Sequence, residues 1–430
     1  MLRKLMLSLG INSVLKALSL FLSLYQIQWL FRYISSEDLA HYNIAMSYMA
    51  AISLFIGFGL ATTLQKWYTN DHSEKTRANV WTTGWYVRLI SFLVGIVLTL
   101  SVLLISRDLS LTLLALLFVN TFVIICDYSF SALYNVREEA WKFSVTDFCG
   151  KLITTLLLVS YTQGLRFTNT AIYDFLLILT IGSLVTLLLD FVWLRRYVTG
   201  GVFDAALLKI MLPGMALIGF SGFLVGIYQY SQPIFMQRLG ISDRDINGFA
   251  KAFTFVAQIN FALGSVIPQF SSSLKRRLLG TKTNTQKQAF FSRVLLLSLG
   301  GLLGIYMMAV LVAPYYFGFV DPEHKYPLSA SIFPILAAFI VPSALATLIL
   351  YLSVFENQER WHFWVVCIQL VIGVGLMLWL IPAYGAIGAA WSVLIVGLID
   401  AFLLRIPQFF ITLGAGADSI DRDTKVSNAS

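Results

Sequence analysis

Charge is scarce in this 430-residue chain: Asp, Glu, Lys and Arg make up 12% of it, against 58% hydrophobic residues, and the mean hydropathy is +0.78. That scarcity excludes the two or three soluble domains that such a length would otherwise suggest, and leaves a polytopic membrane protein. Cysteine is nearly absent. Cys126, Cys149 and Cys367 lie in apolar runs without CxxC spacing, so neither a disulfide framework nor a zinc site is indicated, and they read as packing residues. The four histidines, His41, His72, His324 and His362, are scattered over expected loops and helix ends. None stands at metal-ligand spacing or near a plausible serine nucleophile, so they read as surface residues, and neither a metal site nor a cofactor is expected. A nucleotide-driven pump is unsupported, because in Gly280-Thr-Lys-Thr the lysine does not follow the glycine as a Walker A loop requires.

What the chain has is long apolar runs. With roughly 20 residues per crossing, spans are expected near 7–31, 41–64, 80–105, 109–133, 144–162, 172–194, 209–237, 246–270, 289–313, 328–354, 361–381 and 387–412. The first imitates a secretory signal behind Arg3 and Lys4. It is too long for one, is interrupted by Lys16, Gln26 and Gln28, and lacks an Ala-x-Ala site, so it is expected to be a retained span. Twelve spans place both termini on one side. Of the 30 Lys and Arg, twenty fall in loops on that side, six in loops on the other and four inside spans, so both termini are expected to be cytoplasmic. The net charge of +8 is therefore a topology signal and needs no nucleic-acid partner.

The loop after the first span, Arg32-Tyr-Ile-Ser-Ser-Glu-Asp-Leu-Ala-His-Tyr, aligns at an offset of about 207 with Leu239-Gly-Ile-Ser-Asp-Arg-Asp-Ile-Asn-Gly-Phe. Ser35 meets Ser242 and Asp38 meets Asp245, each pair with the spacing of a helix capping box. The expected fold is thus all-α, with two six-helix lobes, 1–206 and 207–412, and a short polar tail, 413–430. Six spans return the chain to its starting face, so the lobes are expected to be related by an axis along the membrane normal, with a substrate path between them. The loops are too small for chemistry at either surface. The basic stretch Lys275-Arg276-Arg277 with Lys282 and Lys287 is read as a topology signal that touches anionic lipid.

The informative residues are ionisable groups inside spans, since each costs at least about 2.5 kcal/mol at the bilayer centre and usually faces protein or a wet cavity. At 1.5 Å per residue, Lys16 lies about 14 Å deep, Arg88 about 12 Å and Lys151 about 10 Å. They are the candidate substrate-binding residues. Asp127, about 9 Å in, and Asp147, one turn before Lys151, are candidates for charge pairing or ion coupling, as is Asp400 in the second half, which has Arg405 nearby. The bland alternative is that Asp147–Lys151 is a ladder pair and that Lys16 and Arg88 snorkel or pair with Asp127. The sharper one is a positive vestibule open to the cytoplasm and suited to a phosphate or diphosphate. Asp174 and Asp190, near the ends of the sixth span, read as solvated or interfacial.

Leu9-Gly-Ile-Asn-Ser-Val-Leu-Lys-Ala-Leu-Ser-Leu, the turn at 32–42, Gly57-Phe-Gly-Leu-Ala-Thr-Thr-Leu-Gln-Lys-Trp-Tyr and Leu380-Ile-Pro-Ala-Tyr-Gly-Ala-Ile-Gly-Ala-Ala-Trp-Ser resemble the polysaccharide-export branch, the Wzx-type O-antigen flippases, of the multidrug/oligosaccharidyl-lipid/polysaccharide flippase superfamily. The resemblance implies a two-lobed alternating-access transporter, not an enzyme. Its substrate would be an undecaprenyl-diphosphate-linked oligosaccharide, moved across the cell inner membrane for O-antigen, lipopolysaccharide or other surface polysaccharide. It also implies that basic residues of the first lobe, by position Lys16 and Arg88, meet the diphosphate. The partners it implies are the lipid-linked oligosaccharide, membrane lipids and the polysaccharide polymerase and chain-length machinery, with proton or sodium coupling left open. The alternatives are a peptidoglycan-precursor exporter, which usually has fourteen spans, a multidrug antiporter, which favours acidic pockets, and an O-antigen polymerase or ligase, which needs a sizeable outer loop.

Overall fold

The computed structural model describes residues 2–57, 59–69, 74–106, 109–137, 139–164, 166–168, 170–279, 284–321, 325–355 and 358–411. His72, His324, Lys282 and the expected tail at 413–430 lie outside the described residues. The elements are helices: α1 Leu2–Tyr33, α2 Ser36–Gly57, α3 Leu60–Thr69, α4 Glu74–Ile105, α5 Leu111–Val136, α6 Ala140–Thr162 and α7 Ala171–Val198 in the first half. The second half has α8 Ala205–Tyr230, α9 Gln232–Arg238, α10 Asp243–Leu279, α11 Asn284–Val320, α12 Leu328–Ala338, α13 Ile340–Phe355 and α14 Glu359–Leu398, followed by a π-helical segment Ile399–Arg405. Among the described residues there is no strand.

Among the described residues, eleven stretches are long and apolar enough to cross a membrane, and the last, Glu359–Ile411, has 53 residues. Straight, it would be about 80 Å long, more than twice a hydrocarbon core. It folds back on itself instead. Gly385 takes φ 56° and ψ −134°, a conformation open to glycine, and His362 touches Arg405 at 2.8 Å although 43 residues separate them. That stretch therefore makes two passes and the chain makes twelve, which puts residues 2 and 411 on one face, here termed the proximal face. The expected fifth span gains a turn at its start, and the helices at 243–279 and 284–320 extend well beyond the expected 246–270 and 289–313. Polar residues at their ends continue the helix where only the apolar run marks the membrane. Labelling of Thr199→Cys and Ser331→Cys, both at exposed sites, from opposite sides of right-side-out vesicles is expected to place Thr199 inside and Ser331 outside; reaction of both from one side would overturn the topology, and the swapped placement would overturn the charge-based orientation.

Both serine N-caps form, with the acidic residue three positions on bonded to the serine hydroxyl. Asp38 N–H donates to Ser35 Oγ at 3.1 Å while Ser35 Oγ–H donates to Asp38 Oδ2 at 2.8 Å, and Asp245 and Ser242 repeat this at 3.2 and 2.9 Å. Equivalent helices thus start alike at the distal face of each half. Within the first half α6 packs on α1 and α7, and α5 on α7; within the second, α14 packs on α8, and α10 on α12 and α13. The halves meet along α2 and α8, α1 and α10, and α2 and α10. Between α2 and α3 the chain turns at Gly59, with φ 61°, where a Cβ would stand 2.6 Å from Ile218 of α8. A side chain there would push the two halves apart. The segment that joins the halves is tied to α4 by Val202 N–H to Asn79 Oδ1 at 2.9 Å and Asp204 N–H to Thr83 Oγ1 at 3.1 Å.

Candidate functional site

Where the halves part at mid-depth they enclose two connected compartments, of about 620 and 590 Å³. Tyr128 of α5, Gln229 and Tyr230 of α8 and Phe261 of α10 border both. Tyr128 and Phe261 meet edge to face across the halves, ring centroids 5.8 Å apart. This aromatic pair is the partition between the compartments.

The first compartment is bounded by the charged wall of the first half. Asp147 lies at its centre, accepting from Lys16 Nζ at 2.9 Å and facing Lys151 Nζ at 3.4 Å. The Asp147–Lys151 ladder is therefore formed, one helical turn apart on α6. Lys16 pairs with Asp147 rather than with Asp127. It is 4% exposed, stands behind the wall and lines neither compartment, with its ammonium over the rings of Phe143 and Phe261 at 5.1 and 5.5 Å. Lys151 does line the first compartment, 5.3 Å from the Phe261 centroid. The expected surplus of positive charge is absent from this wall, because Asp147 serves both lysines and Asp127 adds a further carboxyl. The remaining wall is uncharged and mixed, with the polar Gln26, Asn120, Gln258, Asn260 and Ser183, the rings of Tyr42 and Phe253, and the aliphatic Met46, Ile124 and Leu179 among its residues.

Asp127 is partnered by a residue that the sequence reading placed at the interface. Asp190 is fully buried, accepts from Tyr134 Oη at 3.0 Å and stands near the Asp127 carboxyl. Asp127 Oδ1 and Asp190 Oδ2 have no donor among the described residues. The misplacement has a simple cause: α7 continues to Val198, so Asp190 is about 12 Å from the helix end rather than at it. Asp174 is also buried, not solvated. It accepts from the N–H groups of Phe167 and Thr168 at 3.2 and 2.6 Å and ties down the preceding loop.

The second compartment touches both halves. Arg88 lines it, with Nη1 donating to Ile56 O at 2.9 Å and Nη2 to Ser129 Oγ at 3.0 Å. On the opposite wall are Asp400, Arg405 and His362. Asp400 accepts from Arg405 Nε at 2.6 Å, the pairing that the sequence left open. His362 is 5% exposed and bonded to Arg405, so the surface reading of that histidine is corrected. The signal available in the sequence was the hairpin itself: Gly385, about midway between positions 362 and 405, folds the last two spans together and brings those positions level. Among the described residues no cluster of three or more His, Cys, Asp or Glu is arranged to hold a metal.

Both ends of the chamber are latched. At the distal face Asn43 Nδ2 donates to Asn247 Oδ1 at 3.0 Å, Asn247 Nδ2 donates to Ser36 O at 3.0 Å, and Ser36 Oγ meets Tyr326 Oη at 3.0 Å. Beneath them Lys251, 1% exposed, pairs with Asp321 at 3.1 Å inside the rings of Phe31, Phe317 and Tyr326. Burial alone would raise the Asp321 carboxyl, but the backbone N–H groups of Tyr326 and Lys325 and the Lys251 ammonium hold it below the ordinary carboxylate range. At the proximal face Lys66 of α3 pairs with Glu359 of α14 at 2.5 Å, and Gln65 Nε2 donates to Pro268 O at 3.0 Å.

No protein-family model and no curated protein matches the chain. Solved structures do. An inward-facing multidrug resistance MATE family transporter of the MOP superfamily is similar with TM-score 0.66 and 14% identity, over 94% of this chain and 99% of that one. The outward-facing conformation of such a transporter gives 0.67 and 13%, over 95% and 96%. The eukaryotic MATE transporter AtDTX14 gives 0.71 and 12%, over 95% of each chain. The fold is that of the MATE transporters.

Proposed function

We propose that this chain is an alternating-access transporter that flips an undecaprenyl-diphosphate-linked oligosaccharide between membrane leaflets. The observation that carries the reading is the composition of the chamber. Amides, hydroxyls and aromatic rings dominate the first compartment, and these are groups that exchange hydrogen bonds with sugar hydroxyls and cover sugar faces without demanding one charge. Arg88 of the second compartment has no carboxylate partner among the described residues, so it is the cation best placed for the diphosphate. Lys151 borders the sugar compartment, and Lys16 acts through Asp147 by holding that carboxylate against it. The polyprenyl chain stays in lipid.

Asp127 and Asp190 are the candidate coupling site, because a proton or a small cation is the species that satisfies two adjoining buried carboxyls. Asp147 and Asp400 are each engaged by a cation and serve charge pairing.

In proteoliposomes, Arg88→Ala is expected to lower flipping of a fluorescent undecaprenyl-diphosphate glycan at least about tenfold, with folding intact by gel filtration. Lys151→Ala is expected to act more weakly, since Asp147 already neutralises it. Unchanged flipping by the Arg88 variant would reject the headgroup role. Multidrug export is the second reading, favoured by the carboxyls Asp127 and Asp147 in the first compartment. Ethidium efflux that is abolished by Asp127→Asn, without glycolipid flipping, would select it.

A further inference from the structure

The wall facing Arg88 is charged in an unusual way. Arg405 and Asp400 belong to the π-helical segment, a local widening of the helix that recurs at functional sites. Arg405 donates from Nε to Asp400 Oδ1 and from Nη1 to His362 Nδ1 at 2.8 Å. A guanidinium has donors and no acceptor. His362 Nδ1 is therefore the accepting nitrogen, and the ring proton sits on Nε2. The histidine is a neutral strut that aims the arginine, and only Asp400 offsets its charge.

On the other side of the same compartment, Arg88 is 3% exposed, and among the described residues it bonds only neutral oxygens and its buried Nε has no acceptor. Two guanidiniums from opposite halves thus share one compartment with one carboxylate. A surplus positive charge in a space of low dielectric is costly until an anion enters. Neutral polar side chains would have sealed the compartment at lower cost.

From this arrangement we infer that the second compartment is a clamp for a phosphate-type anion, gripped by Arg88 from one half and Arg405 from the other. The inference rests on the chamber being the substrate path, and it adds the second half to the headgroup site. An anion held by both arginines ties the two halves together across this compartment.

Asp400 competes with the anion for Arg405, which gives the test its sign. Protein in nanodiscs is titrated with inorganic pyrophosphate and, separately, with sugar-free undecaprenyl diphosphate. Asp400→Asn is expected to tighten both about tenfold, an effect opposite to that of simple damage to the fold. Arg88→Gln, and Arg405→Gln combined with Asp400→Asn so that no carboxylate is orphaned, are expected to weaken both at least about tenfold, with Arg405→Lys intermediate. Binding of undecaprenyl diphosphate but not of free pyrophosphate identifies a lipid headgroup as the source; binding of both identifies a site open to any diphosphate. Wild-type affinity in the Arg405→Gln, Asp400→Asn protein, or no anion binding at all, overturns the clamp. Clamp and glycan reading fail separately. Arginine-dependent anion binding without glycolipid flipping keeps the first and rejects the second, whereas flipping at the wild-type rate by the double variant does the reverse.

Discussion

Replacing Lys251 by methionine is expected to destabilise the folded protein by about 3–5 kcal/mol, the range for removing one partner of a buried ion pair. Lys251 is 1% exposed and Asp321 6%, and the ammonium is surrounded by three aromatic rings, so water cannot take its place. Thermal unfolding in nanodiscs reads the loss. Adding Asp321→Asn to Lys251→Met is expected to recover part of it, since no charge is left unpaired and the amide oxygen still accepts from one of the two backbone N–H groups that Asp321 holds. Equal stability of the single variant and the wild type would mean that the pair contributes nothing. The sign with pH follows from the carboxyl. Asp321 is held below the ordinary range in the folded state, so its contribution is complete above the unfolded value of about 3.9 and is lost as the pH falls through the lower, folded one. The double variant is expected to lose that acid sensitivity.

The second large effect is on motion rather than stability. A short bifunctional thiol reagent acting on Asn43→Cys, Asn247→Cys protein is expected to lower glycolipid flipping by more than about ten-fold, with recovery on reduction. Asn43 and Asn247 lie on α2 and α10, the equivalent helices of the two halves, and their amides meet at 3.0 Å. The alternating access proposed above requires this contact to open once per cycle, so a covalent tie is expected to hold the distal seam shut. Each single-cysteine variant treated in the same way is the control, because a monovalent label does not join the halves. Cross-linked protein that still transports would show that the distal seam does not open.

Span count, pairing of the halves and the two serine N-caps were legible from residues because each has a local cause. Apolar run length answers to bilayer thickness, and Ser35 with Asp38, like Ser242 with Asp245, answers to the unpaired N–H groups of a helix start. Depth could also be read wherever the helix end was clear. It failed for Asp190, which the longer α7 carries inward, and that error hid the partner of Asp127.

The direction in which a buried charge points is not local. Lys16 and Lys151 belong to α1 and α6, and only the packing of those helices makes Asp147 serve both. The same holds for Arg88, His362 and Arg405, which are brought to one compartment by the seam between halves and by the hairpin at Gly385. Composition and hydropathic period thus determined that the chain crosses the membrane twelve times in two similar halves. Which of its buried ions are spent on each other, and which face the chamber, was decided by tertiary packing, because Coulomb energy in a low-dielectric interior depends on separations of a few ångströms that no residue spacing along the chain specifies.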